Sequence, residues 1–354
     1  MAYTTINKPS EYFNTKLYTG NGGTNAITGV GFQPDFVWLK SRSEASTDHK
    51  LLDAVRGVPN FLSSNLTAAE ASTGSFNSID SDGFTVDTTN AAYNQSSATY
   101  ASWNWKANGA GSSNTDGSIT STVSANTTSG FSIVSYTGTG ASATVGHGLG
   151  SSPKMVIVKK RDGASTWLTY NANIGNGYDY YLSLNSSAIA NSADATVWNN
   201  TNPTSTVFSL GNWGDLNGNG STYIAYCFAE KKGYSKFGSY TGLGGTNYPF
   251  IYTGFKPAFV MAKRTNDTSN WVMYDNKRQY NLIEGQYNPQ RPRLASNLSN
   301  AESSFTTDNG VDLLSNGFVV RDNSNDAYTI NISGSNYIYM AFAEQPLVTT
   351  GKVP

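Results

Sequence analysis

One segment occurs three times in this chain and constrains its fold more than any other feature. It reads Gly31-Phe32-Gln33-Pro34-Asp35-Phe36-Val37-Trp38-Leu39-Lys40, then Leu149-Gly150-Ser151-Ser152-Pro153-Lys154-Met155-Val156-Ile157-Val158-Lys159, then Gly254-Phe255-Lys256-Pro257-Ala258-Phe259-Val260-Met261-Ala262-Lys263. In each copy an apolar run follows the proline, and a lysine stands six positions after it: Pro34/Lys40, Pro153/Lys159 and Pro257/Lys263. Proline opens a strand well, because its missing N–H is harmless at the first position. A run such as Phe36-Val37-Trp38-Leu39 is apolar on both faces of the pleat, which predicts a central strand covered on both sides. The copies lie 119 residues (153 − 34) and 104 residues (257 − 153) apart, so the spacing divides the chain into three related units.

Other segments recur in the same order. Lys16-Leu17-Tyr18-Thr19-Gly20 matches Val134-Ser135-Tyr136-Thr137-Gly138 and Gly238-Ser239-Tyr240-Thr241-Gly242, each a strand running into a glycine turn. Leu62 to Glu70 matches Leu294 to Glu302, and within them Leu66 to Glu70 and its copy alone carry the signal for a single helical turn. Each unit closes on a strand with period-two alternation: Trp103 and Trp105 share a face, as do Ile224, Tyr226 and Phe228, and Ile338, Met340 and Phe342. Short strands between Gly, Asn and Asp turns predict an all-β chain of three tandem, related antiparallel β-sandwiches of jelly-roll type. The expected boundaries are an extended lead over 1–14, sandwiches over 15–107, 130–233 and 234–344, a Gly/Ser/Thr/Asn-rich linker over 108–129, and an extended tail over 345–354. Tandem order predicts packing between neighbours, above all between the second and third units.

Composition narrows the function. Only 13% of residues are charged and the net charge is −1, while Tyr (22) and Gly (35) are abundant. A nucleic-acid partner needs a basic patch, so none is expected. The start lacks a basic n-region and an apolar h-region, which predicts no signal peptide, and no apolar run has the length of a membrane span. The single cysteine, Cys227, excludes a disulfide within the chain; it alternates with apolar residues and reads as a buried, inert thiol. Asp215, Asn217 and Asn219 begin a D-x-N-x-N-G calcium pattern, but the twelfth position is Tyr226 instead of glutamate, so a polar turn is favoured over a metal. His49 and His147 stand apart, without a metal or triad context. Paired carboxylates for glycoside hydrolysis could come from Glu230 and Glu344 or from Asp53 and Asp275; the plainer expectation is that each meets a strand-end cation, such as Arg56 or Arg278. The thrice-occurring lysine reads as snorkelling at the sandwich rim. No catalytic constellation is complete, so no enzyme and no cofactor is expected.

The opening Met-Ala-Tyr-Thr-Thr-Ile with Leu17-Tyr18-Thr19-Gly20, the Gly31-to-Trp38 strand, and the close Tyr339-Met340-Ala341-Phe342-Ala343-Glu344 resemble a family of repeat-containing tailed-phage proteins, common in marine phages, of virion-structural or tail-fibre-like type. That resemblance implies a virion component on the particle exterior, made in the host cytoplasm. It would bind other virion proteins and a host-surface glycan or receptor, and would be a homo-oligomer such as a trimer, as external phage appendages commonly are. Alternative readings are a capsid-surface decoration or tail connector that binds only virion proteins, and a polysaccharide-degrading enzyme. Candidate contact residues come from the third unit, which has ten more residues between Arg278 and Leu294 than the first has between Arg56 and Leu62. Added length falls on loops. Tyr280, Tyr287, Arg291 and Arg293 there are of the types enriched at interface hot spots.

Overall fold

The computed structural model describes residues 4–278, 290–304, 309–322 and 326–347. Within them the chain is all-β, its ladders are antiparallel, and one strand order appears three times. In the first third Phe13–Thr19, Thr99–Trp105, Phe36–Ser41 and Lys50–Asp53 lie side by side in that order. In the second the order is Phe131–Thr137, Thr222–Phe228, Met155–Lys160, Leu168–Asn171; in the third it is Ser235–Thr241, Asn336–Pro346, Phe255–Arg264, Val272–Asp275. The closing strand of each unit therefore sits between its opening strand and its proline strand. A smaller sheet covers the outer face of each. It comprises Thr24–Thr28, Gly83–Asp87 and Phe76–Asp80 in the first, and Ala143–Gly146 and Val207–Leu210 in the second. In the third it comprises Phe250–Tyr252, Gly317–Val320 and Val311–Leu314.

The pleat sorts each large sheet onto two cores. Val37, Leu39 and Tyr100 face the first sandwich's own outer sheet, and Phe36, Trp38, Trp103 and Trp105 face the other way. Val156 and Ala225 against Ile157 and Tyr226, and Val260 and Ala341 against Met261 and Met340, divide in the same manner. The second faces of all three large sheets meet in one central cluster. Its rings interlock across units: Phe36 on Tyr226 at 4.3 Å between centroids, Phe13 on Phe342 at 5.1 Å, Phe228 on Phe342 at 6.0 Å. Burying one such side chain stabilises by about 1.5–3 kcal/mol, so this cluster dominates the attraction between sandwiches. A two-layer sandwich alone leaves one face of each sheet to water. Here the other two sandwiches form the third layer.

Several expectations change as a result. The units form a closed ring with direct contact between the first and third, in place of a row packed only between neighbours. Residues 108–129 are not a loose linker: Ser112–Asn114 and Ser121–Asn126 extend the second sandwich's large sheet as a hairpin, with Ile119, Ser121 and Val123 buried. The lead is anchored by Ile6 in the central cluster and contains a 3-10 turn at Pro9–Glu11. Leu66 to Glu70 is not helical; among the described residues the α-helical turns are Ala195–Trp198 and Gly214–Asn217 in the second sandwich.

Candidate functional site

At each junction between sandwiches one loop crosses to the next unit, and its backbone contacts recur around the ring. In the first unit the loop after Leu62 reaches the second unit: the Trp167 indole donates to the Ser63 carbonyl (2.9 Å), and Glu70 N–H donates to the Arg161 carbonyl. From the second to the third unit the contacts are Trp271 indole to Ser183 carbonyl (2.9 Å) and Ala190 N–H to Thr265 carbonyl. From the third to the first they are His49 Nε2 to Ala295 carbonyl (3.0 Å) and Glu302 N–H to Arg42 carbonyl. His49 accepts the Trp38 indole N–H at Nδ1, so its proton sits on Nε2 and it stands in for the tryptophan of the other junctions. Burial and the nearby Lys40 charge keep its pKa well below the ordinary histidine value.

The lysines that end the proline strands do not snorkel, and two of them, Lys159 and Lys263, also reach across a junction, to the Thr67 and Ser187 carbonyls. Lys40, Lys159 and Lys263 are fully buried. Lys159 Nζ donates to Thr67, Lys160 and Gly163 carbonyls and to Ser165 Oγ; Lys263 Nζ donates to Ser187 and Arg264 carbonyls; Lys40 Nζ donates to Ser41 O and Thr47 Oγ1. Burial lowers Lys40 and Lys159 to about 8, and burial with the Arg264 charge lowers Lys263 to about 7.

Side-chain chemistry then separates the three. Between the first and second units, Asp53 pairs with Arg56, Arg56 with Glu70, and Glu70 with Arg161 through two hydrogen bonds. Tyr226 of the second unit donates to Asp53. Between the third and first units the cluster recurs: Asp275 with Arg278, Arg278 with Glu302, and Glu302 with Arg42 through two hydrogen bonds. The Trp103 indole donates to Asp275. Between the second and third units the matching positions are Asn171, Ile174, Ala190, Thr265 and Met340. All five are uncharged, and Asn171 Nδ2 is buried without a partner.

The smaller residues leave space where the other junctions hold guanidinium and carboxylate. A cleft of about 540 Å³ opens there between the second and third sandwiches. Ile174, Tyr180 and Ala190 line one wall; Ser239, Thr265 and Asn336 line the other, with further Asn, Thr and Tyr residues and no ionised side chain. The lining offers amide and hydroxyl groups around apolar and aromatic carbon, as in sites for neutral polyhydroxylated ligands.

The sites expected from sequence are placed as follows. Tyr280 and Tyr287 lie outside the described residues. Arg291 is half-buried. Arg293 is no loop residue: it belongs to the strand Pro292–Ala295, is 9% exposed, pairs with Asp326 at 2.6 Å and lies over the Tyr328 ring. Among Asp215, Asn217 and Asn219, Asn217 is committed to the fold. Its amide donates to Ala141 and Gly211 carbonyls and accepts from Thr139 N–H, clamping the turn after Tyr136. Asn94 and Asn331 do the same after Tyr18 and Tyr240, so the calcium-like spacing reflects a recurrent clamp. Asp53 and Asp275 meet Arg56 and Arg278, while Glu230 pairs with Lys236 and Glu344 with Lys256. Cys227 is buried, and burial pushes its thiol pKa up. The junction residues Glu70, Arg161, Arg42 and Glu302 are not among the sites expected from sequence. The alternation Glu70/Ala190/Glu302 at one aligned position was the available signal.

No curated protein matches this sequence. Residues 8–346, a span that takes in all three sandwiches and the cleft, match the model of DUF7483, a domain of unknown function, and the chain belongs to that family.

Proposed function

We propose that this chain is a non-enzymatic component of a phage particle's exterior that binds the host cell surface, taking an uncharged glycan in the cleft between its second and third sandwiches. The observation that carries the reading is the cleft: at one junction of three, the ionic cluster is replaced by small neutral residues around amide, hydroxyl and aromatic groups. A neutral sugar can exchange its water for such groups without stripping a charge, which would cost several kcal/mol. The ring of sandwiches is a rigid frame for the site, and its inner faces are consumed in the central cluster, so any homo-oligomer would assemble through outer surfaces. Filling the cleft tests the proposal. Ala190→Glu with Thr265→Arg rebuilds the Glu70–Arg161 pair of the neighbouring junction. Purified wild-type protein is expected to bind host cells and the double variant to bind at least about tenfold more weakly, with the melting temperature changed by only a few degrees. Equal binding by both proteins would defeat the proposal.

A second reading, a decoration or connector seated on other virion proteins, is favoured by one feature. Phe250 and Tyr252 are 48% and 54% exposed on an edge strand of the third sandwich's outer sheet. Under that reading Phe250→Ser with Tyr252→Ser removes the protein from particles, whereas the filled cleft does not.

A further inference from the structure

The chain has seven tryptophans, and six of them are buried: Trp38, Trp103, Trp105, Trp167, Trp198 and Trp271. Five of those six donate their indole N–H to a protein acceptor. The sixth, Trp105, is buried without one; Trp213 differs from all six in its exposure. It is partly exposed, and its indole N–H meets no protein acceptor among the described residues. Its ring stands against Tyr181 at 5.2 Å between centroids and 75° between planes. Together they border a cleft of about 430 Å³ in the second sandwich, with Ser192, Asp194, Thr196 and Asn212 around the rings.

We infer that this cleft is a second saccharide site, for one pyranose unit of an uncharged oligosaccharide. Two rings at nearly a right angle give a flat floor and an upright wall, which suits the C–H face and rim of a sugar ring. The polar groups suit its hydroxyls. Asp194 is already oriented: Oδ1 accepts from the Thr196 N–H and hydroxyl, which keep the carboxyl below its ordinary pKa and ionised. Its other oxygen, the Asn212 amide and the free Trp213 N–H supply both acceptors and donors. The ligand class is that of the proposed function, but the site is different. Tyr180 and Tyr181 are successive residues of one strand and point to opposite faces, Tyr180 into the junction cleft and Tyr181 into this one. Neither site needs the other.

Trp213 supplies its own readout, because it is the quenchable, solvent-facing indole among buried ones. Purified protein is titrated with four neutral hexasaccharides (β-1,4-glucose, β-1,3-glucose, β-1,4-mannose and β-1,4-N-acetylglucosamine), following emission and acrylamide quenching, with affinity by calorimetry. At least one is expected to shield Trp213 and shift its emission to the blue. The response is expected to persist in the Ala190→Glu/Thr265→Arg variant, even where that variant has lost host-cell binding. Trp213→Phe, which keeps a packing ring but removes the N–H and part of the floor, is expected to abolish the optical response and weaken binding about tenfold. Asp194→Asn is expected to weaken it less. The inference fails if none of the four sugars perturbs wild-type emission, or if Trp213→Phe and Trp213→Ala both bind with wild-type affinity. It fails too if choline chloride shields Trp213 and the sugars do not, since a cation over the ring beside Asp194 would then explain the site.

Discussion

Two junctions of this molecule are filled with buried guanidinium–carboxylate clusters and the third is not, yet the backbone passes through all three in the same way. The indole-to-carbonyl staple and the amide bond at the loop end are kept at the neutral junction, Trp271 to Ser183 and Ala190 to Thr265. The ring is therefore closed by the apolar centre and these staples, and the ionic clusters are an addition. This agrees with the general energetics of buried ion pairs, whose desolvation offsets much of their attraction. What the charges do instead is occupy volume. Where Arg161 and Glu70 have become Thr265 and Ala190, the surface opens into a cleft, and the molecule gains a concavity without altering its frame.

The sharpest way to break this comparison is to remove one charge from a filled junction. Arg278 is fully buried and bonds Asp275, Glu302 and the Met273 carbonyl. Arg278→Ala leaves the buried Asp275 carboxylate without its cation, Glu302 keeping only Arg42, and is expected to cost about 3–5 kcal/mol in urea unfolding. Converting the whole cluster to the neutral set, with Asp275→Asn, Arg278→Ile, Glu302→Ala and Arg42→Thr, is expected to cost much less than Arg278→Ala alone, despite changing four residues. If the fourfold variant proves as unstable as the single one, the charges are essential to the ring and the comparison is wrong.

Acid gives a milder test of the same contrast. Burial raises the Glu70 carboxyl, but the hydrogen bonds and charges of Arg161 and Arg56 outweigh it and hold its pKa below the ordinary value. A folded-state pKa below the unfolded one contributes stability that is present above about pH 4.3 and lost as pH falls through the folded value. Melting temperature should fall between pH 5 and pH 3, and Glu70→Gln should flatten that slope while lowering the melt at pH 7. An unchanged slope in Glu70→Gln would show that the carboxylate does not couple to folding.

The sequence carried the fold further than it carried the site. The proline strands, the closing strands and the both-faced apolar runs were visible, because period-two burial writes itself directly into residue order. A two-layer sandwich cannot cover both faces of Phe36-Val37-Trp38-Leu39, so the pattern already demanded a third layer, and only the other two units could supply it. The hairpin at 112–126 was hidden because its Ser, Thr and Gly residues are shared by linkers, and tertiary pairing overrides that weak propensity. The site was illegible for a different reason. It is defined by what Ala190, Thr265 and Ile174 lack, and small neutral residues announce a cavity only once their bulky counterparts are known to meet across a junction.

The lysines carry the last and smallest prediction, because one ends the proline strand of every unit, whichever way its junction is filled. Lys40, Lys159 and Lys263 titrate at about 8, 8 and 7, depressed chiefly by burial. The unfolded value is about 10.4, so from roughly pH 7 to pH 10 these lysines bind more protons in the unfolded chain than in the folded one and contribute a rise of stability with pH, which the buried Cys227 thiol partly offsets above about pH 8.5. The penalty for burying the charged ammonium is fully present below the folded values and fades as they are passed. Above about pH 10 the buried tyrosines act with the opposite sign, since burial raises Tyr136, Tyr226 and Tyr274 well above their ordinary value. Urea unfolding at pH 7 and pH 9.5 is therefore expected to show a gain at the higher pH. Lys263→Met should remove the largest share of that gain, because its shift is greatest, and Lys40→Met or Lys159→Met a smaller one. If Lys263→Met left the gain intact, the ammonium at the neutral junction would be reaching water through the cleft, and that junction would be open to solvent as deep as the lysine.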